Sequence, residues 1–380
     1  MNNSNDMTNI EQTKILFEKI DGSADIIEKV VEKAIADFCK QSNDSSKSGG
    51  IVVNGNISGN IIIHYGSGSE EDFEEYIKQV VYSLLRESNG STVKGKPTSP
   101  PTTTQIIEEI DRRADNDDAE ALYNKGNCYC FGKGVKQDYA EAVKWYRKAA
   151  ERGHVAAQYN LGNCHYNGHG VPQDYAEAVK WYRKAAEQGE AYAQNNLGHC
   201  YYNGYGVKKD YTEAVKWYRM AAEQGDTQAQ TNLGCCYYYG KGVKRDYYKA
   251  VRWYLKAAEH GHADAQRALG HCYFKGRGVM RDYTAAVRWY RKAAEQGNAL
   301  AQTNLGVFYY YGKGVKRDYA EAVKWYRKAA HHGEVYAQFM LGCCYYGGKG
   351  VNENDALAGY WFRKAAEQGY FLAKVYLKFL

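Results

Sequence analysis

Cysteine, histidine and lysine are the residues of this chain whose types and spacing first suggest chemistry. The stretch GHCYYNGYGVKKDY, Gly198 to Tyr211, sets a histidine against a cysteine, follows with a Gly-Tyr-Gly turn and closes on two lysines and an aspartate. Such residues suggest a metal site, a redox thiol or a phosphate loop. Equivalent cysteines recur at Cys128, Cys164, Cys200, Cys236, Cys272 and Cys344, and His199, Cys235, His271 and Cys343 each stand just before one of them. Equivalent residues on stacked helices lie about 8–10 Å apart, whereas zinc holds its ligands at about 2.0–2.3 Å. Neighbours such as His199 and Cys200 point about 100° apart around a helix. The recurring cysteine therefore reads as a small buried apolar residue, and neither metal nor cofactor is expected.

The phosphate reading rests on GKGVKQD and GKGVKRD. A Gly-x-Gly that follows no strand and lacks the full P-loop spacing is a structural turn. The basic residues around it, Lys133, Lys208, Lys209, Lys241, Lys244, Arg245, Lys313, Lys316 and Arg317, form a ridge able to attract an acidic partner or RNA. A solvated helix face is the plainer reading, and nucleic acid is not an expected partner. No Ser/His/Asp set and no paired carboxylates stand out, so no catalytic residue and no enzyme activity are expected.

The elements carrying these residues are repetitive. The seven tryptophans, Trp145, Trp181, Trp217, Trp253, Trp289, Trp325 and Trp361, are spaced by 36 residues. Gly126 to Gly342 and Gly134 to Gly350 keep the same beat. In the unit 155–190, Ala157, Leu161 and Cys164 share one helical face, with Gly162 allowing close approach. Gly168 and Gly170 end that helix and open a turn. Asp174 and Glu177 make a capping box for a second helix, which carries Ala178, Trp181, Tyr182, Ala185 and Ala186 at spacings of three and four. Gly189 closes it. Each unit is thus an antiparallel helix pair that must stack on its neighbours to bury its apolar faces.

The pattern A-x-A-Q-x-x-L-G-x-x-Y-x-x-G-x-G-V-x-x-D-Y-x-x-A-V-x-W-Y-x-x-A-A-x-x-G, over residues 117–370, resembles the Sel1-like repeat, a relative of the tetratricopeptide repeat. The resemblance implies a mostly α chain, a right-handed α/α superhelical solenoid whose concave groove serves as a scaffold for protein partners. Some secreted proteins of this kind pair a first-helix cysteine with one on the second helix; here those positions are alanines such as Ala149 and Ala185, so reduced thiols are expected. Three departures stand out: Phe308 replaces the cysteine in repeat six, Asn354 replaces the capping aspartate in repeat seven, and the tail FLAKVYLKFL begins another first helix and stops. That tail is expected to cap repeat seven.

In the register of tetratricopeptide repeats, positions five, six and nine of the first helix face the groove. Position six holds Asn124, Asn160, Asn196, Asn232 and Asn304; position nine adds Asn127, Asn163, His199 and His271; position five varies and includes Arg267. Asparagine both donates to and accepts from a peptide backbone, so a ladder of them would grip an extended segment. The alternative is that they only stitch neighbouring helices together.

The amino-terminal third differs in charge. Residues 1–110 hold 10 Lys and Arg against 17 Asp and Glu, and residues 111–380 hold 40 against 27, which suggests two units with different partners. Residues 10–40 read as two helices, the second with Ile27, Val30, Val31 and Phe38 on one face. Residues 51–68, IVVNGNISGNIIIHYGSG, read as a hairpin, and Glu70 to Arg86 as a helix. A Pro/Ser/Thr-rich linker follows. The β segment loosely resembles short self-association modules attached to immune-type receptors. The expected organisation is a small α+β module over 1–90 able to form homo-oligomers, a flexible linker over 91–104, seven repeats with a leading helix over 105–370, and a capping fragment over 371–380. No signal peptide and no membrane-spanning stretch are read, so a cytoplasmic place is expected. The expected function is a non-enzymatic scaffold binding protein or peptide partners. The alternative is a regulatory or defence-type signalling protein whose first module self-associates while the repeats sense a ligand.

Overall fold

A period of 36 residues leaves room for two helices and two turns, and the chain uses it that way. The computed structural model describes residues 103–380 and, ahead of them, three short strands: β1 (Thr13–Leu16), β2 (Val52–Asn56) and β3 (Asn60–His64). The chain divides into two units, residues 1–106 and 107–380.

In the first unit the strands form an antiparallel sheet in the order β1-β3-β2. Val52 pairs with His64 and Asn56 with Asn60, the antiparallel register of a hairpin. Asn54 and Gly55, a pair common in tight turns, lie inside β2. The first of the two helices expected over 10–40 is corrected. Thr13–Leu16 is a strand, with Ile15 opposite Ile61; a short apolar run does not by itself distinguish helix from strand, and pairing along β3 decides it. The second of those helices and the helix expected over 70–86 lie outside the described residues, as does the linker expected over 91–104 except for Thr103 and Thr104, which are helical.

The second unit begins within α1 (Thr103–Asp115) and continues as seven helix pairs. Each repeat has a first helix, α2 (Ala119–Phe131), α4 (Val155–Asn167), α6 (Ala191–Asn203), α8 (Thr227–Tyr239), α10 (Ala263–Lys275), α12 (Ala299–Tyr311) and α14 (Val335–Tyr346). Each first helix is followed by a second helix, α3 (Tyr139–Glu151), α5 (Tyr175–Glu187), α7 (Tyr211–Glu223), α9 (Tyr247–Glu259), α11 (Tyr283–Glu295), α13 (Tyr319–His331) and α15 (Asp355–Glu367). From α2 onward each helix packs on the one that follows it, so the array is an α/α solenoid. A short α16 (Phe371–Tyr376) packs on α15, burying Ala373 and setting Tyr376 at 5.1 Å from Phe362.

Within a repeat the two helices meet at a glycine. A Cβ on Gly162 would lie 2.6 Å from the Tyr182 ring, so only glycine lets the buried tyrosine seat. The second helix starts on an aspartate: Asp174 Oδ1 accepts from the N–H groups of Ala176 and Glu177 at 2.9 and 3.0 Å. The capping box is only half made. The Asp174 N–H already donates to His165 O at 2.8 Å, and Glu177 instead accepts from Lys180 and from Trp181 Nε1. In repeat seven Asn354 caps equally well, accepting from Leu357 N at 2.8 Å.

Two joints between helices are backbone-centred. At the first, a buried glutamine at position four donates to the end of the preceding second helix, as Gln158 Nε2 does to Ala150 O at 3.1 Å, and accepts from a glutamine closing its own repeat, Gln188, at 2.7 Å. At the second, the later turn glycine presses on the preceding repeat: a Cβ on Gly206, whose φ is +66°, would lie 2.1 Å from Tyr175 O.

Candidate functional site

Regular first helices place positions five, six and nine on one side of the array. Across repeats two to four they enclose an open hollow of about 440 Å³, lined by Asn163, Tyr166, Asn167, Tyr182, Asn195, Asn196, His199, Gln228 and Asn232. None of these side chains is a lysine, arginine, aspartate or glutamate. Burial lowers the affinity of His199 for its proton and pushes the Tyr166 phenol up to about 12, so both stay neutral at neutral pH. The Tyr166 hydroxyl and His199 Nδ1 approach to 3.4 Å.

The asparagines also bond to one another across repeats. Tyr182 donates to Asn163 Oδ1 at 2.7 Å, and Asn196 Nδ2 reaches the same oxygen at 3.3 Å. Asn232 Nδ2 donates to Asn195 Oδ1 at 3.0 Å, and Gln228 donates to Asn232 Oδ1 at 3.2 Å. Each amide nitrogen has two hydrogens and each amide oxygen two lone pairs, so these bonds stitch the helices and still leave capacity toward the open side.

Of the residues singled out from the sequence, Asn163, Asn196, His199 and Asn232 meet in this hollow. The others occupy equivalent positions along the array. Asn124 donates to Glu120 at 3.1 Å, Asn127 accepts from Tyr146 at 2.7 Å, and Arg267 sits 3.5 Å from Asp264. Asn160 lies beside Tyr123, and His271 packs edge-on to Tyr238 at 6.2 Å. Asn304 is half-buried at the same position of repeat six. Tyr166, Asn167, Tyr182 and Gln228 were not among the candidates: Tyr182 reads as core because its ring is buried, and Gln228 reads as solvent-facing.

Of the recurring cysteines, Cys164, Cys200, Cys236, Cys272 and Cys344 sit in the cores, and Cys128 is half-buried. Cys200, Cys236 and Cys272 are fully buried, and burial pushes each thiol up to about 12. Phe308 fills the equivalent place in repeat six, edge-on to Phe274 at 5.3 Å. Among the described residues no three His, Cys, Asp or Glu side chains gather around a common point, and no helix is long and apolar enough to cross a membrane.

The Sel1 repeat model matches seven consecutive segments, 119–154, 155–190, 191–226, 227–262, 263–298, 299–334 and 335–370. Among solved structures, a protective antigen of uropathogenic Escherichia coli displaying this repeat fold is 42% identical, with a TM-score of 0.66 over 71% of this chain and 58% of its own. This chain therefore spans little more than half of that antigen's length. A Sel1 repeat protein from Oxalobacter formigenes is 31% identical, with a TM-score of 0.62 over 82% of this chain and 90% of its own. No curated protein matches.

Proposed function

The chain belongs to the Sel1 repeat family, and from that premise we propose that it is a non-enzymatic scaffold that holds an extended segment of a protein partner along its first helices. Sel1 repeats typically mediate protein–protein interactions. The observation that carries the reading is the neutrality of the hollow, whose nine lining residues are amides, phenols and one uncharged imidazole. Amide side chains match the donor and acceptor of a peptide group, and a site without charge favours backbone over charged side chains. Position five varies from Tyr159 to Asn195 to Thr231, and of these Asn195 lines the hollow.

A cytoplasmic place suits the chain, because the second-helix positions that could hold disulfide partners are alanines. A second reading adds self-association through residues 1–90. It is supported by the strand order β1-β3-β2, which leaves β1 and β2 outermost among the described strands, where backbone groups can pair with another copy.

The test is recovery of partners by the wild type and by the Asn160→Ala/Asn196→Ala/Asn232→Ala variant, with circular dichroism confirming helix content. Loss of partners with helix content retained supports the groove. Equal recovery by both proteins refutes it.

A further inference from the structure

The turn that follows each first helix carries a second feature, separate from the neutral hollow. In repeats two to five and in repeat seven its leading residue stacks on the tyrosine that opens the second helix of the preceding repeat, whereas Lys313 of repeat six lies over Phe274 and Tyr311. In repeats two and three that residue is aromatic: His169 lies 5.3 Å from Tyr139 and Tyr205 5.0 Å from Tyr175. From repeat four it becomes a cation, with Lys241 5.1 Å from Tyr211, Arg277 5.4 Å from Tyr247 and Lys349 5.9 Å from Tyr319. A second cation lies over each of the same rings: Lys209 over Tyr211 at 5.9 Å, Arg245 over Tyr247 at 5.5 Å and Arg317 over Tyr319 at 5.5 Å. Two are fixed further, since Arg277 donates to Tyr238 and Lys349 donates to Tyr310 at 2.9 Å.

All six cations are exposed. None pairs with a carboxylate among the described residues, because the neighbouring aspartates are turned into their helices as caps, as Asp210 is toward Thr212 and Glu213. The edge therefore carries pairs of ring-seated cations without carboxylate partners at Tyr211, Tyr247 and Tyr319, a geometry that lowers the ordering cost of binding an anion. Successive repeats are offset by about 8–10 Å, close to three residues of extended chain at about 3.3 Å each. A single-stranded nucleic acid would need free ring faces for base stacking, and here cations already lie over Tyr211, Tyr247 and Tyr319.

We propose that the turn edge of repeats three to seven is a docking strip for an extended, carboxylate-rich segment of a protein partner, with an acidic side chain at about every third position. Its footing is independent of the hollow in repeats two to four.

The test uses the full chain and a labelled peptide with glutamate at every third position, followed by fluorescence anisotropy at low and high salt. The expected result is binding at low salt that weakens as salt screens it. The Lys241→Gln/Arg277→Gln/Lys349→Gln variant should weaken it about tenfold, given the modest strength of each exposed pair. A second variant, Lys244→Glu/Lys316→Glu, reverses charge at exposed positions that stack on no ring, and it should weaken binding without disturbing packing. The Asn196→Ala/Asn232→Ala variant should bind the peptide as the wild type does, which separates this strip from the groove. The proposal is overturned if the wild type does not bind at low salt, if both charge variants bind like the wild type, or if an oligothymidylate of equal charge binds more tightly than the peptide.

Discussion

Replacing His332 or His260 by glutamine should stabilise the protein. The glutamine staple is complete in four repeats, where Gln188, Gln224, Gln296 and Gln368 donate to Gln158, Gln194, Gln266 and Gln338 at 2.7, 2.8, 2.8 and 2.9 Å. In repeats four and six the donor position holds His260 and His332, and the acceptors Gln230 Oε1 and Gln302 Oε1 are buried without a partner. Repeat one has neither half, with Leu122 and Arg152 at the two positions. A net hydrogen bond contributes about 0.5–1.5 kcal/mol, and relieving a buried unsatisfied acceptor adds to this, so each replacement should stabilise by about 1–2 kcal/mol. Little is lost in exchange. His260 reaches Lys256 O at 2.8 Å, and Gln188 makes the matching contact to Lys184 O at 3.3 Å while it staples. Repeats four and six are not neighbours, so the two gains should add. The assay is urea unfolding followed by circular dichroism, with the reverse change Gln188→His as control. The reasoning is refuted if the glutamine variants leave the midpoint unchanged or lower it and Gln188→His does not lower it.

Other predictions follow from single residues. Tyr326 has a buried hydroxyl without a partner because Val307 stands where Asn163 serves Tyr182; Tyr326→Phe should be neutral or stabilising and Tyr182→Phe should cost about 1 kcal/mol, as read by thermal melts. Gly206→Ala should cost more than the roughly 1–2 kcal/mol of a left-handed alanine, because its Cβ would strike Tyr175 O, whereas Gly225→Ala, with φ +99° and nothing within 4 Å, should cost only the conformational part. Burial pushes the Asp226 carboxyl up to about 6, with the Ala229 N–H opposing and the Glu190 charge adding to it. An unfolded aspartate releases its proton near about 3.9, so the folded state holds more proton between these values and stability falls as pH rises through the window. Asp226→Asn keeps the cap, as Asn298 does with Ala301 N at 3.0 Å, and its stabilising effect should therefore be larger at neutral pH than at mildly acidic pH. Equal effects at both would refute the assignment.

Spacing alone carries the solenoid: tryptophans and glycines 36 residues apart leave no other arrangement of the helices, and the capping aspartates mark where each second helix starts. The buried glutamines were visible as a recurring letter, but a polar residue at position four gives no sign that it closes a bond between helix ends. Gly170 and Gly206 read as turn formers; what they touch is the backbone of another repeat, which local pattern does not encode. The hollow was half legible. Asn163, Asn196, His199 and Asn232 follow from helical register, whereas Tyr182 and Gln228 enter it through packing between elements. In the first unit, Thr13–Leu16 became a strand because β3 lay beside it, a partner about 45 residues away in sequence.

The joint between Gly206 and the Tyr175 carbonyl has a consequence for how such a chain changes over generations. It is made of backbone on one side and of a missing side chain on the other, so it fits any repeat to any other regardless of what their surfaces carry. Whole modules can be duplicated or lost by recombination without rebuilding an interface. The length of the array and the text written along its groove and its edge are therefore free to vary separately, in steps of 36 residues for the one and of single residues for the other.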